Sequence, residues 1–277
     1  MLGAAAAPAV SAQAGLSPDV AALLSIVELF ALVLTRMAGM FVVSPIFGRR
    51  NLPTYYKVGF AFFLALMLVG SGGISVPLGA GSPIEFAILV AKELAVGISI
   101  GFIPYLMFSV IYLAGQIIDM QIGFSMVSVL DPLSNLQVPV TSNFYFIICV
   151  LAFITVNAHH SVIAAIYRSY ELVPLGVFSL GDGVMGGIMR LFADIFAVGL
   201  RLAAPIVFAI LIADVALGVV SKAMPQMNVF MVGMPLKILA GLLIMIVTMP
   251  AMFVALSALF KNIDLETAAF MKGIGAP

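Results

Sequence analysis

Charge is scarce in this sequence: Asp, Glu, Lys and Arg make up 9% of its 277 residues, against about 25% in an ordinary soluble domain. So few charges cannot cover a surface in contact with water, which excludes a free-standing soluble domain. Twelve basic and twelve acidic residues leave a formal net charge of zero. There is no basic patch to hold nucleic acid and no polybasic tail for anionic lipid. Cysteine occurs once, as Cys149 within an apolar run; disulfides within the chain are excluded, and the residue reads as a small buried hydrophobe. Tryptophan is absent, so any aromatic belt at a membrane boundary has to come from Tyr and Phe. The opening residues, MLGAAAAPAVSAQAG, lack the positive n-region and long apolar h-region of a signal peptide. Residues 1–19 read as a flexible lead.

No catalytic constellation stands out. There is no phosphate-binding glycine motif, no Ser-His-Asp order that geometry favours, and no HExxH pattern around His159 and His160. Those two histidines are adjacent and point about 100° apart on a helix, so packing at a helix end accounts for them better than a metal. We expect no enzyme activity, no cofactor and no metal.

What the chain has in abundance is apolar side chains: 64% of residues, with a mean hydropathy of +1.25. The expected fold is an all-α integral membrane protein of about six long, bent or broken helices arranged as hairpins. The six apolar stretches run from Val20 to Phe47, Val58 to Val69, Leu94 to Ala114, Val140 to Tyr167, Ile188 to Val220 and Val229 to Phe260. The second, with about 12 residues or roughly 18 Å of helix, ends at Gly70, Gly72 and Gly73 and is too short to cross a bilayer comfortably.

Several stretches are irregular. Glu28 and Arg36 interrupt the first, Pro104 lies in the third, and Pro205, Pro235 and Pro250 lie in the last two. Arg190, Asp194 and Arg201 fall on one face of the fifth stretch. They read either as ion pairs, with each other or with a partner's charges, or as a proton or ion relay. Prolines and charges in apolar helices both point to helices that face protein rather than lipid. Arg49, Arg50, Lys57 and Lys222 favour one side of the membrane, but Arg168, Lys261 and Lys272 fall opposite if six full spans are assumed. A simple six-span hairpin scheme therefore fits poorly.

Between the third and fourth stretches lies GQIIDMQIGFSMVSVLDPLSNLQVPV, residues 115–140. It is too apolar for a solvated loop, and Gly115, Gly123, Pro132 and Pro139 argue against one continuous helix. Asp119 and Asp131 have no obvious local cation. The physics leaves two readings open: an ordinary packed loop, or non-helical backbone lining a cavity at membrane depth. In the second, Met120, Phe124 and Met126 would form a soft, yielding seal.

The run Gly115-Gln116-Ile117-Ile118-Asp119-Met120-Gln121-Ile122-Gly123-Phe124, followed by Asp131-Pro132, resembles the FliR family of flagellar type III export-gate proteins. Other pieces agree in order: Pro45 with Pro53, Glu93 with Gly97 and Gly101, Asn157-Ala158-His159-His160, Pro174-Leu175-Gly176, Pro225-Gln226-Met227-Asn228-Val229-Phe230, and Gly233 to Lys237. The resemblance covers residues 20 to 260 or so. It implies a non-enzymatic core subunit of the export gate in the bacterial inner membrane, within the flagellar basal body and largely toward the periplasm. It implies FliP-like and FliQ-like partners, an FlhB-like subunit docked against them, and unfolded flagellar subunits in transit. It implies a plug over residues 115–132, with Gly115, Gln116, Asp119, Met120, Gln121, Gly123, Phe124, Met126, Asp131 and Pro132 as gate residues. It further implies a FliP-like part over 20–180 and a FliQ-like hairpin with a C-terminal tail over 181–277. Glu93, Arg190, Asp194, Arg201, Pro225, Gln226, Asn228 and Lys237 are then the expected assembly or buried-charge residues. The competing readings are the related T subunit of virulence injectisomes and a small-molecule or ion transporter, whose broken helices and buried charges look similar.

Overall fold

In the computed structural model, residues 17–48, 53–72, 74, 82–125, 139–178, 182–226 and 228–275 are described. They form eight helices: α1 (Pro18–Val43), α2 (Thr54–Gly70), α3 (Pro83–Ile122), α4 (Val140–Thr155), α5 (Ala158–Leu172), α6 (Asp182–Ala223), α7 (Val229–Lys261) and α8 (Ile263–Gly275). No strand occurs among the described residues. Four helices are long and apolar enough to cross a membrane, or five if α4 and α5 count as one broken span. The chain is thus an all-α membrane protein of long and broken helices.

Three expectations need correction. The second stretch is longer than its apolar core, because Thr54, Tyr55, Tyr56 and Lys57 at one end and Gly70 at the other join the helix and give α2 17 residues. It still falls short of spanning length. The third stretch begins at Pro83 rather than Leu94 and runs for 40 residues, roughly 60 Å of helix. Its start is marked by Ser82, whose hydroxyl accepts the amide of Glu85 at 3.3 Å, with Pro83 at the first helical position. Glu85, Lys92 and Glu93 interrupt the apolar pattern and conceal that start. Finally, α3 does not break at Gly115. It continues to Ile122 and stops where Gly123 takes φ +99°, a left-handed conformation that glycine adopts without steric cost.

The fourth stretch breaks in two at Asn157, which holds φ 56°; asparagine tolerates this left-handed region better than most residues. The last two stretches become α6 and α7, joined by a short exposed turn at Met224, Pro225, Gln226 and Asn228. Asn228 caps α7: its side-chain oxygen accepts the amide of Met231 at 3.3 Å. α8 lies in what the sequence presented only as a tail.

The helices contribute to two compact units, each assembled from separate stretches of chain. One comprises 1–105, 159–189 and 262–277. Here α1 packs on α2 through Phe30 against Phe62 and Phe41 against Phe60, with ring centroids 5.1 and 5.5 Å apart. α1 also meets α3 backbone to backbone, since a Cβ at Gly39 would lie 2.8 Å from the carbonyl oxygen of Leu94 and one at Gly101 2.7 Å from that of Met40. The other unit comprises 106–158 and 190–261. Its core is aromatic, with Phe108 in contact with Phe146, Phe153 and Phe260 at 5.3–5.6 Å, and α4 packs on α7.

Candidate functional site

The run Gly115 to Ile122, which begins the segment expected to form the plug, is the last two turns of α3, and it is clamped on several sides within its unit. Gly115 is buried against Ser142 at the start of α4: a Cβ there would stand 2.5 Å from both Cα and Oγ of Ser142. Glycine permits this backbone approach, and the Ser142 hydroxyl donates to the carbonyl of Tyr112 at 3.3 Å. One turn on, Asp119 is buried and its Oδ1 accepts the amide of Thr141 at 3.0 Å. A carboxylate at the end of its own helix is poorly placed for the helix dipole. This one lies at the positive start of α4, where negative charge is favoured. The missing cation for Asp119 is thus replaced by a helix N-terminus. Ile122 is fully buried and its side chain occupies the space that a Cβ on Gly241 of α7 would fill. Leu113 lies in the same way over Gly199 of α6.

Two of the residues expected in the gate remain on the outer face of this helix end: Gln116 is exposed and Met120 is 72% exposed. Gln121 and Phe124 are half-buried. Met126, Asp131 and Pro132 lie outside the described residues.

A second constellation occupies the other unit. Arg36 and Glu93 are both fully buried, with Nε of Arg36 2.6 Å from Oε2 of Glu93. Nη1 of Arg36 donates to the Ser169 hydroxyl at 3.0 Å and to the carbonyl of Val173 at 3.1 Å. The guanidinium stacks over the Tyr170 ring, 4.1 Å from its centroid. The other Glu93 oxygen accepts the amide of Gly176 at 2.8 Å, while Nζ of Lys92 donates to the Gly176 carbonyl at 3.1 Å. Pro174-Leu175-Gly176 is therefore a turn, closed by the amide of Val177 on the carbonyl of Pro174 at 3.1 Å. Gly176 holds φ +78° at its third position, as a type II turn requires. One carboxylate and one guanidinium tie α1, α3, α5 and this turn together.

The charges of the α6–α7 hairpin differ. Lys237 forms an ion pair with Asp214, both partly exposed. Arg190, Asp194 and Arg201 are all exposed and form no ion pair among the described residues. Pro225 and Gln226 sit in the exposed turn. Among the described residues no three His, Cys, Asp or Glu side chains cluster in a way that could hold a metal ion.

A family model described as bacterial export proteins, family 1, matches residues 27–263. The chain belongs to that family, which is the family of the flagellar FliR proteins. The flagellar biosynthetic protein FliR of Bacillus subtilis (strain 168) is 35% identical over 249 residues, covering 88% of this chain and 95% of its own length. FliR of Escherichia coli (strain K12) is 28% identical and that of Aquifex aeolicus (strain VF5) 26%, each over 87% of this chain. The match extends over both compact units, so the clamped end of α3 and the Arg36–Glu93 cluster are parts of one FliR-family chain.

Sequence reasoning missed Arg36, Ser169 and Tyr170 as companions of Glu93. The signal was present but weak: Arg36 is the one base inside the first apolar stretch, and a buried charge needs a partner. Asp119 was singled out without its true partner, because a backbone amide carries no sequence signature.

Proposed function

We propose that this chain is a core subunit of the flagellar type III protein export gate. With FliP-like and FliQ-like subunits it forms the channel through which unfolded flagellar subunits are secreted, and an FlhB-like subunit docks against that core. The complex lies in the inner membrane within the flagellar basal body, with a large part toward the periplasm. The reading is carried by the family match over residues 27–263, supported by relatives named for flagellar biosynthesis. Its FliP-like part is 20–180 and its FliQ-like hairpin 181–277. Support for the hairpin comes from α6 starting at Asp182, the turn at Pro225-Gln226, and the Asp214–Lys237 pair across it. The subunit acts by shape and packing and carries out no covalent chemistry.

Within the complex, residues 115–132 supply the plug. The end of α3 is held by Gly115 on Ser142 and Asp119 on Thr141, which gives the segment a rigid base. Gly123 supplies the turn out of the helix, and Phe124 with Met126 supplies apolar bulk that excludes water from a narrow pore. A chain pushing through displaces soft side chains rather than breaking polar contacts.

Co-expression tests both levels. Alone, the chain is expected to aggregate or be degraded; with FliP-like and FliQ-like partners it is expected to yield one complex. A monodisperse, stable chain without partners would overturn the assembly reading. Phe124→Ser with Met126→Ser should leave the complex assembled but permeable to ions and small solutes. An assembled mutant that stays tight would remove the plug assignment while leaving the rest.

A further inference from the structure

The base of the proposed plug segment holds two buried polar atoms that find no partner. Asp119 and Thr141 are 4% and 1% exposed. One oxygen of the Asp119 carboxylate, Oδ1, accepts the Thr141 amide at 3.0 Å. Oδ2 of the same carboxylate and Oγ1 of the same threonine are hydrogen-bonded to nothing among the described residues. Among the described residues of the unit comprising 106–158 and 190–261, these are the only buried side-chain polar atoms left unpaired. The start of α4 therefore compensates Asp119 through one oxygen and leaves the other bare, which is costly in a buried site.

No basic side chain of this unit is buried with Asp119. α4 carries no charged residue, and its titratable groups are Tyr145, whose hydroxyl bonds to Thr248, and Cys149. The turns of α3 before Asp119 in this unit contribute only Tyr112. On α6 and α7, Arg190, Asp194, Arg201, Lys222 and Lys261 are exposed, and Asp214 pairs with Lys237.

We propose that the missing ligand is a proton, and that Asp119 is a proton-binding site whose neutral carboxyl group latches the base of the plug. In that form Oδ1 still accepts the Thr141 amide while Oδ2–H donates to Thr141 Oγ1, so one proton satisfies both orphaned atoms. A metal cation would have to sit beside the positive start of α4, which disfavours it. A buried water typically makes about three hydrogen bonds, and these two atoms offer it two. The start of α4 favours the charged carboxylate, but by less than it costs to bury one with a bare oxygen. The proposal rests on the plug reading above and adds its switch. Release of the proton to water leaves a buried charge, and water reaches that charge only if the end of α3 parts from the start of α4. The latch is therefore closed at low pH and loosens as pH rises through the range in which Asp119 ionises.

The experiment uses the full chain in complex with its FliP-like and FliQ-like subunits. The infrared difference spectrum of wild type minus Asp119→Asn at neutral pH should contain the carbonyl stretch of a protonated carboxyl group. That band should vanish as the pH is raised, shift in Thr141→Val, and keep its position in Thr141→Ser, which retains the hydroxyl. In vesicles, ion leak through the wild-type complex should rise over the same pH range in which the band is lost. Asp119→Asn should stay tight throughout, because its amide oxygen accepts the Thr141 amide and its amide nitrogen donates to the Thr141 hydroxyl. Ionised-carboxylate bands at neutral pH would overturn the proposal, as would a protonated band that ignores Thr141→Val. A leak that does not follow the loss of the band, or that Asp119→Asn shares, would overturn the latch. If the complex carrying Phe124→Ser and Met126→Ser also stays tight, it is the plug reading that fails, and the infrared bands still decide the proton site.

Discussion

The guanidinium of Arg36 and the carboxylate of Glu93, 57 residues apart in sequence, meet at 2.6 Å where neither side chain reaches solvent. Their remaining contacts go to Ser169, Val173, Tyr170 and Gly176, so a single buried pair fixes where four segments of one unit lie.

Breaking that pair from one side strands a buried charge, which typically costs about 3–5 kcal/mol. Glu93→Ala should therefore lower the steady-state level and thermal stability of the assembled protein sharply. Arg36→Met with Glu93→Met should recover part of the loss, because no charge is left unpaired. Tyr170→Phe should be nearly neutral, since among the described residues the hydroxyl finds no hydrogen-bond partner and the ring face does the work. Tyr170→Leu should destabilise. Thermal aggregation of the purified complex, read on all four variants, checks the order.

Two helical glycines predict opposite outcomes for one substitution. A methyl group at Gly115 would meet the backbone of Ser142 at 2.5 Å, so Gly115→Ala must force α3 and α4 apart and should reduce assembly. Ser142→Gly should not rescue it, because the obstructing atoms include Cα and N. At Gly218 nothing lies within 4 Å, and alanine there should be neutral or stabilising by up to about 1 kcal/mol. Immunoblots of complex recovered from matched expression levels separate the two.

Asp119 serves as the cap for another helix. Asp119→Asn keeps an acceptor for the Thr141 amide and should retain most stability. Asp119→Ala leaves that amide unpaired in a buried site and should cost about 0.5–2 kcal/mol, the usual range for a lost cap. Hydrogen exchange at the first turn of α4 should rise in the alanine variant and change little in the asparagine variant. Equal exchange in both would remove the capping role.

The Asp214–Lys237 pair fixes the register of the α6–α7 hairpin. In a Cys149→Ala background, cysteines at positions 214 and 237 should join through a short bifunctional reagent, whereas cysteines at 214 and 244, about two turns farther along α7, should not. The charge exchange Asp214→Lys with Lys237→Asp should assemble better than either single change. A hairpin that cross-links only at the shifted pair would contradict this register.

Much of the architecture was legible because apolar run length is a direct record of helix and membrane. The α6–α7 hairpin was visible from Pro225 and its polar neighbours, which interrupt an otherwise apolar run. Where reading failed, it failed on charge and glycine. Lys92 and Glu93 looked like the boundary of a stretch, yet they lie inside α3 because Arg36 and the Gly176 turn satisfy them. Gly115 looked like a helix breaker; inside α3 it is the point of closest approach to α4. A glycine lowers helix propensity by only about 1 kcal/mol, which a well-packed backbone contact outweighs.

The sequence by itself determined the class of this protein: scarce charge and long apolar runs admit only helices in a membrane, and the order of its motifs pointed to the FliR family. Tertiary structure alone decided which charges are satisfied at home. Arg36 and Glu93 are buried together, while Arg190, Asp194 and Arg201, equally conspicuous in the sequence, face outward. The reason is geometric. Helical periodicity assigns a residue to a face, but only the folded chain brings a neighbour to that face or leaves it open.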